Sequence, residues 1–228
     1  MREIVLDTET TGFKANEGDR LVEIGCIELV NHIPTGRHYH VYINPERSMP
    51  EDAFKVHGLS DEFLKDKPLF ADVAREFCTF IGEDPLVIHN AAFDLSFLNA
   101  ELARLDGFPH IAAERAIDTV RLARMKFPGA QVSLDALCKR FSIDNSARVK
   151  HGALLDAELL AEVYLELIGG RQQGLGLAGS EGGENLMAAP QQRGPARPPR
   201  PHEPTAEELA AHAAFVAKLK DAVWLKAD

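Results

Sequence analysis

The apolar run Ile4-Val5-Leu6 stops at a carboxylate, Asp7, and a second carboxylate, Glu9, follows two residues later. On an extended strand, positions i and i+2 face the same way. A carboxylate at the end of a buried strand is costly unless it is paired or metal-bound. Two acids facing one direction at a core edge make a cradle for hard divalent cations, which take oxygen ligands. Two solvated acids at a turn fit the same D-x-E spelling, so the pair by itself leaves the chemistry open.

The residues after Asp7 read as an α/β domain. Residues 21–30, LVEIGCIELV, alternate loosely and predict a strand; residues 38–43, HYHVYI, alternate more strictly and end at Asn44-Pro45. Three strands so close in sequence predict an antiparallel meander. Residues 70–81 have helical spacing, with Val73, Ala74, Phe77 and Phe80 or Ile81 on one face. Residues 86–88 form a short buried strand that stops at His89-Asn90, and Ile117 closes a further strand delivering Asp118. Helices are expected over 92–105, 119–125, 133–141 and 153–168. A meander followed by alternating helices and strands implies a mixed sheet flanked by helices.

Composition shifts at Gly169. From there to about residue 204 the chain is rich in Gly, Pro, Gln and Ala and poor in large apolar residues, so it predicts a flexible linker. Thr205 and Glu208 then form a capping box, and Leu209, Val216, Leu219 and Val223 share one face of a predicted helix. The expected organisation is a domain over 1–168, a linker over 169–204 and an amphipathic tail over 205–228. A helix this short is marginal alone, so the tail is expected to dock on its own domain or on a partner.

The formal net charge of −10 counts against tight autonomous binding to long nucleic acid, where Lys and Arg neutralise phosphates. It does not exclude a nuclease, because carboxylates that hold metal cations invert the local field. Cys26, Cys78 and Cys138 form no C-x-x-C pair and read as reduced core thiols. No apolar run approaches the roughly 18 residues of a membrane span, and the first residues carry no apolar signal core; the expectation is a cytoplasmic protein with no membrane partner.

Three further residues join Asp7 and Glu9. Asp94 stands in the first turn of a predicted helix, where the helix dipole also favours an acid. Asp156 lies near the start of the last helix among Leu154, Leu155, Leu159 and Leu160, and His151 precedes that helix beside Gly152. A histidine's ordinary pKa near 6.5 suits general-base work. Each of the three also has a structural reading, as a helix-start acid or a capping histidine.

The set D-x-E, HNAAFD and H-x-x-x-x-D resembles the DEDD exonuclease superfamily in its histidine-containing branch. The segments IVLDTETTG, VHGLS, VIHNAAFD, SLDAL and HGALLDAELLAEVYL resemble, in order over about residues 3–168, the proofreading subunits of bacterial replicative DNA polymerase. None of the five core positions departs from the pattern. The resemblance implies a ribonuclease H-like fold, a mixed five-stranded sheet with helices on both sides. It implies a 3′→5′ exonuclease that acts on a single-stranded or frayed DNA 3′ end and releases nucleoside 5′-monophosphates. Two divalent ions, Mg²⁺ or Mn²⁺, about 4 Å apart, would be held by Asp7, Glu9 and Asp156 and by Asp7 with Asp94. His151 would take the proton of the attacking water. Thr10 and Gly12 would approach the terminal sugar, and His57, His89, Asn90 and Phe93 match positions near the terminal nucleotide.

The resemblance extends to the tail, expected to bind the polymerase (alpha) subunit with Trp224 as an anchor. Gln172, Leu175 and Leu177 resemble a short sliding-clamp peptide, although many such peptides end in Phe; plain linker fits them too. Two other readings remain at this level: a free-standing RNA-trimming exonuclease of the same superfamily, and a non-catalytic scaffold.

Overall fold

The structure, a computed structural model, describes residues 1–146, 148, 150–170 and 203–219. Strand β1 (Arg2–Thr10) pairs antiparallel with β2 (Leu21–Val30), which pairs antiparallel with β3 (Ile33–Tyr42). On its other side β1 runs parallel to β4 (Leu86–Ile88), and β4 runs parallel to β5 (Ala116–Asp118). The result is a mixed five-stranded sheet of order β3-β2-β1-β4-β5.

Period-two alternation along β1 divides its side chains between two cores. Ile4 and Leu6 join Ile24, Cys26, Phe77 and Leu98, beneath α3 (Phe70–Ile81) and α4 (Ala91–Leu102). Val5 joins Ile27, Val87, Leu137, Leu160 and Val163, beneath α6 (Leu134–Phe141) and α7 (Ala153–Leu167), with α5 (Thr119–Lys126) beside them. Strands covered on both faces need apolar residues at nearly every position, and β2 is buried from Leu21 to Leu29.

Three details depart from the expectations. β3 begins at Ile33 and not at residue 38, because its first half is an exposed edge that carries no alternation to read. Helix α4 stops at Leu102, three residues early. The stretch after Pro50, not expected to be helical, forms α1 (Glu51–His57) and α2 (Asp61–Leu64), separated by Gly58 in the left-handed region at φ 77°. Both are too short to develop a helical period.

Gly25 lies opposite Asp7 on β2. A Cβ there would come within 2.3 Å of the Ala153 carbonyl carbon, so only glycine lets the start of α7 press against the sheet. Gly25→Ala is expected to destabilise the fold by about 1–3 kcal/mol, by pushing α7 away from β1, and to lower activity with it. Thermal melting and turnover equal to the wild type would contradict this close approach.

The described residues 203–219 belong to a second unit, separate from the sheet domain. In it α8 (Ala206–Val216) opens with the expected capping box: Glu208 N–H donates to Thr205 Oγ1 at 3.2 Å, and Thr205 N–H to Glu208 Oε2 at 2.8 Å. Gln172, Leu175, Leu177 and Trp224 lie outside the described residues. No helix among the described residues is long and apolar enough to cross a membrane.

Candidate active site

Neighbouring residues of β1 serve two sides of the site. Asp7 and Glu9 share the parity of Val5 and so face the core beneath α7. Thr8 faces the other way, and its hydroxyl donates to Asp94 Oδ1 at 2.7 Å. Asp94 sits in the first turn of α4, which follows Asn90 in the left-handed region (φ 69°, ψ 56°). Asp156 stands in the first turn of α7, its backbone N–H donating to the Gly152 carbonyl at 2.9 Å. His151 lies just before that helix, and its backbone N–H reaches the Val56 carbonyl on α1 at 3.2 Å.

A cleft of about 720 Å³ gathers these groups. Asp7, Glu9, Asp94, His151 and Asp156 line it, and so do Thr10, Gly12, His57, His89 and Phe93. Asn90 does not; it borders a neighbouring hollow with Asp118, Arg121 and Arg124. Its backbone N–H donates to Asp118 Oδ1 at 3.2 Å, so its contribution here is to set the start of α4.

Three of the four carboxylates resist ionisation. Burial pushes Glu9 up to about 8, helped by the charges of Asp156, Glu23 and Asp94. Burial pushes Asp94 to about 7, even though the Thr8 hydroxyl bond favours its charged form. Asp7 is held well above the usual carboxylate range by burial and then by Asp94, Glu9 and Asp156. Asp156 goes the other way: burial opposes its charge, but the fork of hydrogen bonds from Arg148 outweighs that and holds it below the usual range. Crowded carboxylates of this kind call for a cation.

The donor set fits a divalent metal. Among the described residues, potential ligand atoms of Glu9, His151 and Asp156 lie within 4.8 Å of one another. Buried oxygens that are short of positive charge suit a hard cation. His151 thus stands within reach of the carboxylates that would hold the cation.

The remaining cleft residues present polar and aromatic walls. Thr10 Oγ1 donates to the Gly12 carbonyl at 2.6 Å, which tightens the turn after β1. His57 Nδ1 accepts from Leu59 N–H at 3.0 Å, and burial lowers its pKa, a backbone hydrogen bond at Thr10 partly offsetting this. His89 Nδ1 lies 2.9 Å from Thr119 Oγ1, and burial lowers its pKa as well. Phe93 packs against Phe97 below and faces Phe13, whose ring is 6.3 Å away and 83% exposed. Phe13 and Arg148 were not legible as site residues. A large apolar residue in a polar turn, directly after Gly12, is the signal for Phe13; Arg148, in a polar stretch, carries none.

A family model described as Exonuclease matches residues 4–164. DNA polymerase III subunit epsilon of Rickettsia felis is 50% identical over 222 residues, covering 96% of this chain and 97% of that protein. The protein of the same name from Escherichia coli is 51% identical over 176 residues, covering 75% and 72%. Among solved structures, the nuclease domain of 3'hExo, a DEDDh family member bound to rAMP, superposes with TM-score 0.62 at 18% identity, covering 73% of this chain and 91% of that one. Exonuclease X in complex with 5′ overhanging duplex DNA gives 0.58 at 24% identity, covering 73% and 90%. These likenesses show the ribonuclease H-like fold. The relatives do not favour the RNA-trimming alternative. The chain belongs to the exonuclease family and, within it, to the DNA polymerase III epsilon subunits.

Proposed function

We propose that Asp7, Glu9, Asp94, His151 and Asp156 carry the 3′→5′ exonuclease reaction of this family, which removes mispaired 3′-terminal nucleotides of DNA as 5′-monophosphates. One observation carries the assignment: four carboxylates and an imidazole from β1 and from the starts of α4 and α7 converge in one cleft, and three of the carboxylates are held above the usual range by burial and by one another. Exonucleases of this family generally use divalent metal ions. Two such ions, Mg²⁺ or Mn²⁺, held by Asp7, Glu9 and Asp156 and by Asp7 with Asp94, would supply an activated water and stabilise the leaving 3′-oxygen.

The chain's own groups do the rest. His151 takes the proton of the attacking water. The Thr10–Gly12 turn brings backbone and hydroxyl groups to the terminal sugar. Phe93 offers an aromatic face to the terminal base, and stacking of this kind is tolerant of sequence. His57 and His89, pinned through their Nδ1 atoms by Leu59 and Thr119, hold the cleft walls.

Residues 169–204 act as a tether and residues 205–228 as the segment that binds the polymerase subunit, with Trp224 as its anchor. A peptide at Gln172, Leu175 and Leu177 is the candidate contact with the sliding clamp. A tethered exonuclease needs little DNA affinity of its own, since the linker supplies effective concentration. The net charge of −10 agrees with that division of labour. Deleting residues 205–228 is therefore expected to leave nucleotide release from a free 3′ end unchanged and to abolish co-elution with the polymerase subunit. The deciding assay is metal-dependent release of the terminal nucleotide from a 3′-mismatched primer, with and without that subunit, against an RNA of matching length. Preference for the RNA would overturn the proofreading role, and co-elution of the truncated chain would overturn the role of the tail.

A further inference from the structure

Arg148 lies in the wall of the acidic cleft with its side chain only 8% exposed. Its guanidinium straddles the Asp156 carboxylate, Nε donating to Oδ1 at 2.5 Å and Nη2 to Oδ2 at 2.7 Å. Nη2 also donates to His151 Nδ1 at 2.8 Å, and Nη1 to Asp135 Oδ1 at 2.8 Å. A guanidinium has donors and no acceptor. His151 Nδ1 must therefore present its lone pair to Arg148, which puts the proton of the neutral ring on Nε2. Neither ring nitrogen then has a lone pair left to accept another proton. The contact of Nδ1 with Asp156 Oδ2 is longer, 3.3 Å, and needs a hydrogen on that same nitrogen, so the Arg148 bond takes precedence.

Both Asp156 oxygens are engaged in the same way. A bidentate fork is the strong form of a cation–carboxylate contact, and a buried charge cannot be left unpaired cheaply. One side chain thus occupies both the carboxylate assigned to the metal and the imidazole assigned to proton transfer. A guanidinium and a divalent cation are alternatives at Asp156, since each supplies positive charge to the same two oxygens. Asp135, at the cleft rim with its side chain 60% exposed, offers Arg148 a partner when it leaves.

Resting on the proposed function, we infer that Arg148 is a latch: it competes with the divalent cation for Asp156, and its release from Asp156 and His151 accompanies cation binding. Arg148 is in this sense a positioning residue. Without a cation it holds Asp156 and His151 in an idle arrangement, and it frees the two working groups together.

The test uses the full chain, stripped of metal with EDTA and dialysed, then titrated with Mn²⁺ by calorimetry. Arg148→Gln is expected to bind Mn²⁺ about tenfold more tightly than the wild type, as the loss of a competing bidentate pair implies. The same variant, metal-free, is expected to melt at a lower temperature, because Asp156 has lost its counter-charge. Arg148→Lys, which keeps the charge and loses the fork, should bind Mn²⁺ with intermediate affinity. Equal or weaker Mn²⁺ binding by Arg148→Gln overturns the latch. Should that variant fail to fold, the wild type answers alone: the Arg148 Nε–H signal in a ¹⁵N spectrum should move as Mg²⁺ saturates the site, and a signal indifferent to Mg²⁺ overturns the proposal. The two readings fail separately. An Asp156→Ala protein that still cleaves removes the catalytic assignment; an inactive one, with unaltered Mn²⁺ affinity in Arg148→Gln, removes only the latch.

Discussion

Asp7→Ala and Asp156→Ala are each expected to lower release of the 3′-terminal nucleotide by about a thousandfold or more, since each removes a ligand on which charge neutralisation of the phosphate depends. The two variants should part company in stability. Asp7 is a carboxylate held against its own ionisation by burial and by Asp94, Glu9 and Asp156. Taking it away relieves repulsion, so the metal-free Asp7→Ala protein should melt at or above the wild-type temperature. Asp156 is instead the carboxylate that Arg148 grips, and its side chain is 3% exposed against 8% for Arg148. Removing it leaves a buried guanidinium with only the exposed Asp135 as counter-charge; breaking a buried pair costs about 3–5 kcal/mol, of which Asp135 offsets a part. Asp156→Ala should therefore melt well below the wild type while keeping its secondary structure by circular dichroism. His151→Ala gives a third pattern: slow turnover with metal affinity largely kept. Near-normal cleavage by either carboxylate variant at ordinary metal concentration would sink the mechanism.

Without metal, the protein is expected to lose stability as pH rises from about 6.5 to 8.5, and to regain it when Mg²⁺ or Mn²⁺ is added. Glu9 and Asp94 set the sign: they titrate at about 8 and about 7 in the folded chain, both above their unfolded values. A group raised in this way stabilises the fold fully below its unfolded pKa, and that contribution is lost as pH climbs through the folded one. Asp156, held below the usual range, is already ionised throughout this window and adds no slope. His57 and His89, lowered by burial, act in the opposite direction below their ordinary value of about 6.5, which is why the window starts there. Each unit that pH rises below a raised folded pKa costs about 1.4 kcal/mol, so the loss across this window is about 2–3 kcal/mol, a sizeable part of an ordinary domain's stability. Melting temperatures in EDTA at pH 6.5, 7.5 and 8.5, repeated in saturating Mg²⁺, measure it. A flat profile in EDTA would mean that the carboxylates are not crowded in the way described.

The site thus trades fold stability for a place where cations bind. Acids that repel one another in the metal-free protein become an advantage once positive charge arrives. Arg148 pairs directly with Asp156 alone; its charge also eases Asp7 and Glu9, but burial and the neighbouring acids outweigh it and keep both, with Asp94, above the usual carboxylate range.

Much of this was legible in the residues. The apolar run Ile4-Val5-Leu6 announced a buried strand, and a meander followed by alternating helices and strands announced a mixed sheet flanked by helices, because run length and element order are read along the chain. The D-x-E pair, Asp94 at a helix start and Asp156 in the first turn of α7 were visible for the same reason: spacing along one element dictates which side chains share a face. The long amphipathic pattern of α3 was visible too, since its Val73, Ala74 and Phe77 recur at helical intervals.

Other features depended on tertiary structure. Helix α1 has too few residues to show a period, yet its Val56 carbonyl anchors the His151 backbone. Gly25 has no side chain to read, and its importance comes from the Ala153 backbone that presses on it. Phe13 and Arg148 take their meaning from Phe93 and Asp156, which only folding brings near. The sequence alone determined which groups can hold a cation and which strand and helix ends carry them. Only the tertiary structure decided which face of β1 meets α7, how closely the acids crowd, and that Arg148 is the cation beside them. The physical reason is that periodicity acts within an element, whereas repulsion and ion pairing act through space between elements far apart in the chain.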